Sequence, residues 1–409
     1  SSNVCSYPNW TPIGGEFLMD PSDLSTMTVA YFNGVLDGGG HHINHLYCYR
    51  WSYLQADTNS YAYSQGIGLI GLMGTLYPGE SQPSLSPAVR NLSLSGYVYG
   101  RRMVGGIVGG ICTGGNAATI GSAVSVGVYL ENCANHAEVH GTDSKGVAGI
   151  VAAGWGKGAI INCYNTGSIT TTYASPAGGI CAGDTAMDIY CCYNTGTIYT
   201  NGNSRGRGIG GDDAGSGYTV SDCYYLAGSY DDMVWKGFYA ANMAASVSVT
   251  TTELTASRMK DGTLLKALNV NGTAYAAGED GLPVLLWEQQ GGSGTAQFSL
   301  VQPQGGTVSS SAEPGKLAGG TVVYLTETTG TGWAFRSFTL NGTAVSGSYF
   351  TASGSCTASA VCESMQAGVL RISDNEVCTV TVTKTGTAMV GGVLTPVTDY
   401  SVANGDSLY

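Results

Sequence analysis

A chain of 409 residues is long enough for two or three domains. Its 11% charged side chains and net charge of -12 exclude the basic face that nucleic acid or anionic lipid would require. No apolar run approaches the length of a membrane-spanning helix, the longest, Val104 to Ile111, being interrupted by Gly105, Gly106, Gly109 and Gly110.

From Ser1 to Gly96 the sequence reads as short apolar or alternating runs closed by glycine, the pattern of strands. Trp10-Thr11-Pro12-Ile13-Gly14, Phe32 to His41, Gly68 to Gly74 and Val89 to Gly96 are the clearest. Within this stretch Tyr47, Tyr49, Trp51 and Tyr53 alternate at period two and share one face of a strand. If that face points outward it is an aromatic platform for sugar rings or partner side chains, and if inward it is core.

From Glu131 a unit recurs at about thirty residues. Asn132-Cys133-Ala134-Asn135 is answered by Asn162-Cys163-Tyr164-Asn165, Cys192-Tyr193-Asn194 and Asp222-Cys223-Tyr224-Tyr225, with the cysteines 30, 29 and 31 positions apart. Gly149-Ile150, Gly179-Ile180 and Gly208-Ile209 keep the same step. Gly106-Ile107 precedes Gly149 by 43 positions, so the extra length leaves as a loop around Thr113 to Val128. A fixed period of this size marks stacked units that bury a continuous core together. The expected fold is all-β: a right-handed parallel β-helix, a solenoid, over residues 1–246. Ile150, Ile180 and Ile209 would fill one interior column and Cys133, Cys163, Cys192 and Cys223 another. Asn135, Asn165 and Asn194 would form an amide ladder. Cys191 and Cys192 point oppositely, so only one joins the column.

Leu254, Met259, Leu264, Leu265 and Leu268 then show helical spacing broken by Gly262. This short helical segment, with the strand Pro283 to Trp287, is expected to cap the open end of the solenoid over residues 247–288. Residues 289–296 read as a linker. Residues 297–409 read as a small β-sandwich-like domain.

The motifs Trp10-Thr11-Pro12-Ile13-Gly14, Phe32-Asn33-Gly34-Val35-Leu36-Asp37-Gly38-Gly39-Gly40-His41 and Gly68-Leu69-Ile70-Gly71, followed by the Gly-Gly-Ile and Asn-Cys-Tyr-Asn coils, resemble the GLUG-motif surface proteins of Gram-positive bacteria. The resemblance covers roughly Trp10 to Trp287. It implies a secreted or cell-surface protein, often an adhesin, whose partner is a host glycan or protein. Some members carry an immunoglobulin-cleaving metallopeptidase, but this sequence has no His-Glu-x-x-His. No basic-then-apolar leader stands at Ser1 and no Leu-Pro-x-Thr-Gly signal is present, so export and attachment would depend on sequence outside this chain.

Two other functions are kept open. A polysaccharide lyase or glycosidase would need paired carboxylates on one outer face. Glu131, Glu138, Asp143, Asp184, Asp188, Asp212, Asp213 and Asp222 do not recur at one phase of the repeat. An extracellular polymer would instead join copies of this chain. No cofactor is expected; calcium at Asp212 and Asp213 is the weak exception, because that turn lacks a ladder of ligands. His41, His42 and His45 are close enough to suggest a metal site, but the resemblance implies that a histidine after the Asp-Gly-x-Gly turn is part of the coil. Cys5 with Cys48, and a pair among Cys356, Cys362 and Cys378, are plausible disulfides.

Overall fold

Each pass of the chain is organised by one bend. The residue before each repeat cysteine has positive φ: 52° at Asn132, 53° at Asn162, 52° at Cys191 and 54° at Asp222. Asn91, at 53°, makes the same bend one pass earlier. Asn and Asp tolerate this left-handed conformation better than other side chains do. The bend turns the next side chain inward, and Cys133, Cys163, Cys192 and Cys223 are fully buried. It also turns the carbonyl two residues back toward the interior. Each thiol donates to that carbonyl, at 3.2 Å to Glu131, 3.3 Å to Ile161, 3.2 Å to Tyr190 and 3.3 Å to Ser221. A small apolar group with a weak donor suits the corner, and cysteine is that residue. Burial also pushes the Cys133 and Cys192 thiols well above their ordinary pKa, so both stay protonated. All four thiols are expected to resist iodoacetamide in the folded protein and to react within minutes of denaturation. Labelling of the folded chain, read by mass spectrometry, would contradict the inward column.

The computed structural model describes residues 9–18, 27–50, 66–75, 86–113, 127–142, 146–155, 158–172, 176–183, 187–201, 206–210, 218–230, 237–238, 248–289, 294–364, 378–390 and 393–402. The chain divides into two units, Ser1–Gly294 and Thr295–Tyr409.

In the first unit the passes between bends pair in parallel. The largest sheet takes, in chain order, Val35–Arg50, Ala88–Gly100, Val128–Asn135 with Glu138–Gly141, and then the short strands Gly158–Ile161, Tyr164–Asn165 and Ile169–Thr171. Asp188–Tyr190, Tyr193–Asn194 and Ile198–Tyr199 follow, and then Thr219–Leu226 and Ser248–Leu254. Two smaller parallel sheets repeat the order. One contains Val104–Gly105, Val147–Ala148, Ala177–Gly178 and Gly206–Arg207, and the other Ile70–Thr75, Val108–Thr113, Val151–Trp155 and Cys181–Gly183. The unit is therefore an all-β body of parallel sheets with β-helix-like wiring. Ile107, Ile150, Ile180 and Ile209 are fully buried between the sheets.

Polar side chains also run through this interior. The Asn135 side-chain amide donates to Asn165 Oδ1 at 2.7 Å, and Asn165 donates to Asn194 Oδ1 at 2.8 Å. Each also donates to the carbonyl two residues on, Ala137, Gly167 and Gly196. The Gly-Ile marker belongs to the same device. A Cβ on Gly149 would meet Asn165 Cγ at 2.4 Å, and one on Gly179 would meet Asn194 Cγ at 2.3 Å. Glycine leaves the space that the amides occupy. At Gly208 the neighbour is the Tyr225 ring, so an aromatic ends the amide ladder. A second ladder lies at the bends, where Asn162 donates to Asn132 at 3.0 Å and Asn132 to Asn91 at 3.1 Å.

The helical segment is the main correction. Gly262, at φ 89°, separates α1 (Ala256–Lys260) from α2 (Thr263–Leu268), as its position in the sequence suggests. The segment does not close the end of the stack. It folds back along the side and crosses the earlier passes in reverse order. Met259, Leu264, Leu268, Tyr275 and Leu285 bury against Tyr193, Cys191, Tyr164 and Ala134. Tyr275 Oη donates to the Cys191 carbonyl at 2.9 Å, and Tyr193 Oη donates to the Pro283 carbonyl. Trp287 Nε1 donates to the Asn132 carbonyl at 3.1 Å, and its ring lies 5.3 Å from that of His42. The reason is the outward column Tyr164–Tyr193, stacked at 4.9 Å and 3°. That apolar stripe needs cover, and the strap provides it. Ser248–Leu254 instead pairs as a further parallel strand on Thr219–Leu226.

The second unit places Thr295–Leu300 parallel to Ser355–Ser364, flanked by Gly315–Ala318 and Trp333–Leu340. A three-stranded sheet of Gly306–Ser310, Val322–Thr329 and Tyr349–Thr351 shares its core, where Phe298 and Phe350 meet at 5.4 Å. Cys356 and Cys362 lie on one strand and are free thiols, so the disulfide expected among Cys356, Cys362 and Cys378 is not formed. Cys5, Asp212, Asp213 and most of the loop around Thr113 to Val128 lie outside the described residues.

Candidate functional site

On Val35–Arg50, Leu46 and Cys48 point into the core, and alternation therefore sends Tyr47 and Tyr49 outward. Tyr49 is 40% exposed. Trp51 and Tyr53 lie outside the described residues. Parallel pairing sets Tyr47 beside Tyr97 and Tyr49 beside Tyr99, and then Tyr99 beside His140. Five rings from three passes thus meet. Tyr49 and Tyr99 stack at 4.6 Å and 10°, Tyr47 and Tyr97 at 6.1 Å and 18°, and His140 lies 6.1 Å from both Tyr97 and Tyr99. Sequence alternation alone identified only the first strand of this cluster. The missed signal is Tyr97-Val98-Tyr99, which repeats Tyr47-Cys48-Tyr49 fifty positions later.

The geometry amends the expected platform. Stacked rings cover one another's faces, so the surface presents ring edges and phenolic hydroxyls rather than one flat sheet of π-faces. Tyr97 has its pKa raised by partial burial and by the nearby Glu138 carboxylate, and partial burial likewise raises Tyr99. These phenols are neutral hydrogen-bonding groups throughout the physiological range.

The same outward face continues beyond the rings. Register carries His140 to Thr170 and then to Tyr199, which is 54% exposed. Glu138, Ser168 and Thr197 run alongside, each exposed. The N-terminal edge of the cluster is held by Asn9, whose side chain donates to the Tyr49 carbonyl and accepts from the Tyr49 N–H, both at 2.8 Å.

Of the carboxylates in the enzyme hypothesis, Glu138 borders the ring cluster, and the other described ones lie elsewhere. Asp222 accepts from the Ser221 hydroxyl at 2.7 Å, and Asp188 accepts from the Thr219 N–H at 2.7 Å. Burial raises the Asp188 pKa. Glu131 is buried, and with Asp188 it adds to the burial that raises Tyr129. Asp143 and Asp184 lie outside the described residues. Glu288, on the strap, accepts from Tyr164 Oη at 2.8 and 3.0 Å and from the Leu285 N–H at 2.8 Å, with His136 Nε2 at 3.9 Å. That carboxylate holds the strap down. Among the described residues, no cluster of three or more His, Cys, Asp or Glu could hold a metal ion, and no helix is long and apolar enough to cross a membrane.

No family model and no curated protein matches the chain. Among solved structures, it is similar to a candidate immunoglobulin A1 protease from Bacteroides ovatus, with a TM-score of 0.37 and 19% identity over 62% of this chain and 77% of that one. A likeness at that level says nothing about activity.

Proposed function

We propose that the first unit is a right-handed parallel β-helix of a secreted or bacterial cell-surface protein, of the kind the GLUG-motif resemblance implies. Its role is to bind neutral glycans, or an uncharged protein surface, through the outward face at Tyr47, Tyr49, Tyr97, Tyr99 and His140. The observation that carries the reading is this five-ring cluster on an outward, partly exposed sheet face. Aromatics gathered from three passes and left partly in solvent, Tyr49 exposed and the other four rings half-buried, are costly without a ligand, and phenolic hydroxyls beside ring edges match the mixed polar and C–H surface of sugars. The scarcity of charge over the whole chain favours the same ligands.

The test is the double variant Tyr49→Ala with Tyr99→Ala. Because both rings project outward, the melting temperature is expected to stay within about 3 °C of the parent, the range of a surface change. Binding on an array of host and bacterial glycans is expected to fall at least tenfold, about 1.4 kcal/mol. A double variant that binds as the parent does would move the function to another surface.

A further inference from the structure

Beyond the rings, the outward face drops and rises again. Three consecutive passes place His140, Thr170 and Tyr199 at one register position, with Glu138, Ser168 and Thr197 at the position two residues earlier on each pass. The middle pass carries only short side chains, Ser168 and Thr170. A slot results, floored by two hydroxyls, walled by the His140 ring on one side and the Tyr199 ring on the other, with the Glu138 carboxylate at its edge. Two ladder steps of about 4.8 Å separate the walls by about 9.6 Å. One six-membered sugar ring in van der Waals contact with both walls takes about 7–8 Å, from two contacts of 3.5–4.0 Å.

We propose that this slot is a subsite for a single neutral hexose unit of a glycan, which lies between His140 and Tyr199 and continues over the Tyr97 and Tyr99 edges. The inference rests on the glycan-binding reading and gives it a position, an orientation and a ligand class. Charge selects the class. Among the described residues Glu138 is the acidic group at the slot, and a carboxylate accepts hydrogen bonds from sugar hydroxyls but repels a uronate or sialate. The net charge of -12 works in the same direction. The hydroxyls of Ser168 and Thr170 donate or accept as the sugar requires.

The test is isothermal titration of the full chain with cellohexaose, laminarihexaose and mannohexaose, and with hexagalacturonate as the anionic counterpart. Binding of at least one neutral hexaose, and a tenfold or weaker response to the uronate, is expected. Thr170→Leu, which fills the slot from an outward position, and Tyr199→Ala, which removes one wall, are each expected to weaken that binding at least tenfold with the melting temperature unchanged. If both variants bind as the parent does while Tyr49→Ala with Tyr99→Ala loses binding, the slot is overturned and the aromatic surface stands. Preference for the uronate overturns the neutral-sugar assignment. If the parent binds none of the hexaoses, the slot assignment fails, and the glycan array then decides the broader reading separately.

Discussion

Asn165→Asp is expected to destabilise the first unit by about 3–6 kcal/mol, although it changes one atom's identity and no side-chain volume. Asn165 is fully buried, and its Nδ2 donates to Gly167 O at 2.9 Å and to Asn194 Oδ1 at 2.8 Å. Aspartate has no donor there. Gly167 O loses this donor and Asn194 Oδ1 keeps only the Gly196 N–H at 3.1 Å, so two buried hydrogen bonds are lost at about 1–3 kcal/mol each. A carboxylate oxygen also faces Asn194 Oδ1, so the group is held neutral or buried as a charge, and both options cost free energy. Thr197→Asp is the control, because Thr197 is exposed on the next pass, two ladder steps from Glu138, and should change stability by no more than about 0.5 kcal/mol. Urea unfolding of both variants compares them directly. Equal midpoints would show that the amide ladder contributes nothing to stability.

How much of this was legible in the sequence depends on which residue carried the signal. The cysteine and Gly-Ile markers recur because the bend and the amide ladder each need one residue type at one place, and that need is visible as a period. The ladder at Asn135, Asn165 and Asn194 could be read for the same reason. The second ladder, at Asn91, Asn132 and Asn162, was missed. Its members precede a cysteine only in part, since Leu92 takes the inward place after Asn91 and Cys191 and Asp222 replace asparagine later. The common factor is a left-handed backbone, and a pattern of identities does not display a dihedral angle. The alternation of Tyr47 and Tyr49 could show a shared face, but Leu46 and Cys48 form an equally apolar alternative. Pairing with Tyr97 and Tyr99 decides the matter, and their offset of fifty positions does not fit the thirty-residue step. In the strap, helical spacing identified Met259, Leu264 and Leu268 as buried, but periodicity cannot name what they bury against.

That ambiguity separates two architectures, and one deletion distinguishes them. Removing Ala256–Glu288 from the first unit leaves every parallel strand in place, including Ser248–Leu254 on Thr219–Leu226. An end cap would protect the last pass, so its loss would expose Cys223 first. The lateral strap covers Tyr164, Tyr193 and Cys191 instead, so its loss should expose the middle of the stack. Uncovering Tyr164 and Tyr193 alone forfeits about 3–6 kcal/mol of burial, at about 1.5–3 kcal/mol for each large side chain. The truncated unit is therefore expected to bind a hydrophobic dye, lose at least 10 °C of melting temperature and associate through the bared tyrosines. Mass spectrometry after brief iodoacetamide treatment should find Cys191 modified and Cys192 protected, although the two are adjacent. Cys192 remains among the interior thiols while Cys191 faces the vacated side. Modification of Cys223 ahead of Cys191 would restore the end-cap arrangement. Tyr164→Phe in the intact chain gives the graded version of the same test. It leaves the Glu288 carboxylate buried with one donor fewer, at about 1.5–3 kcal/mol for a hydrogen bond to a charged group, and should raise hydrogen exchange along Tyr275 to Glu288 before any coil opens.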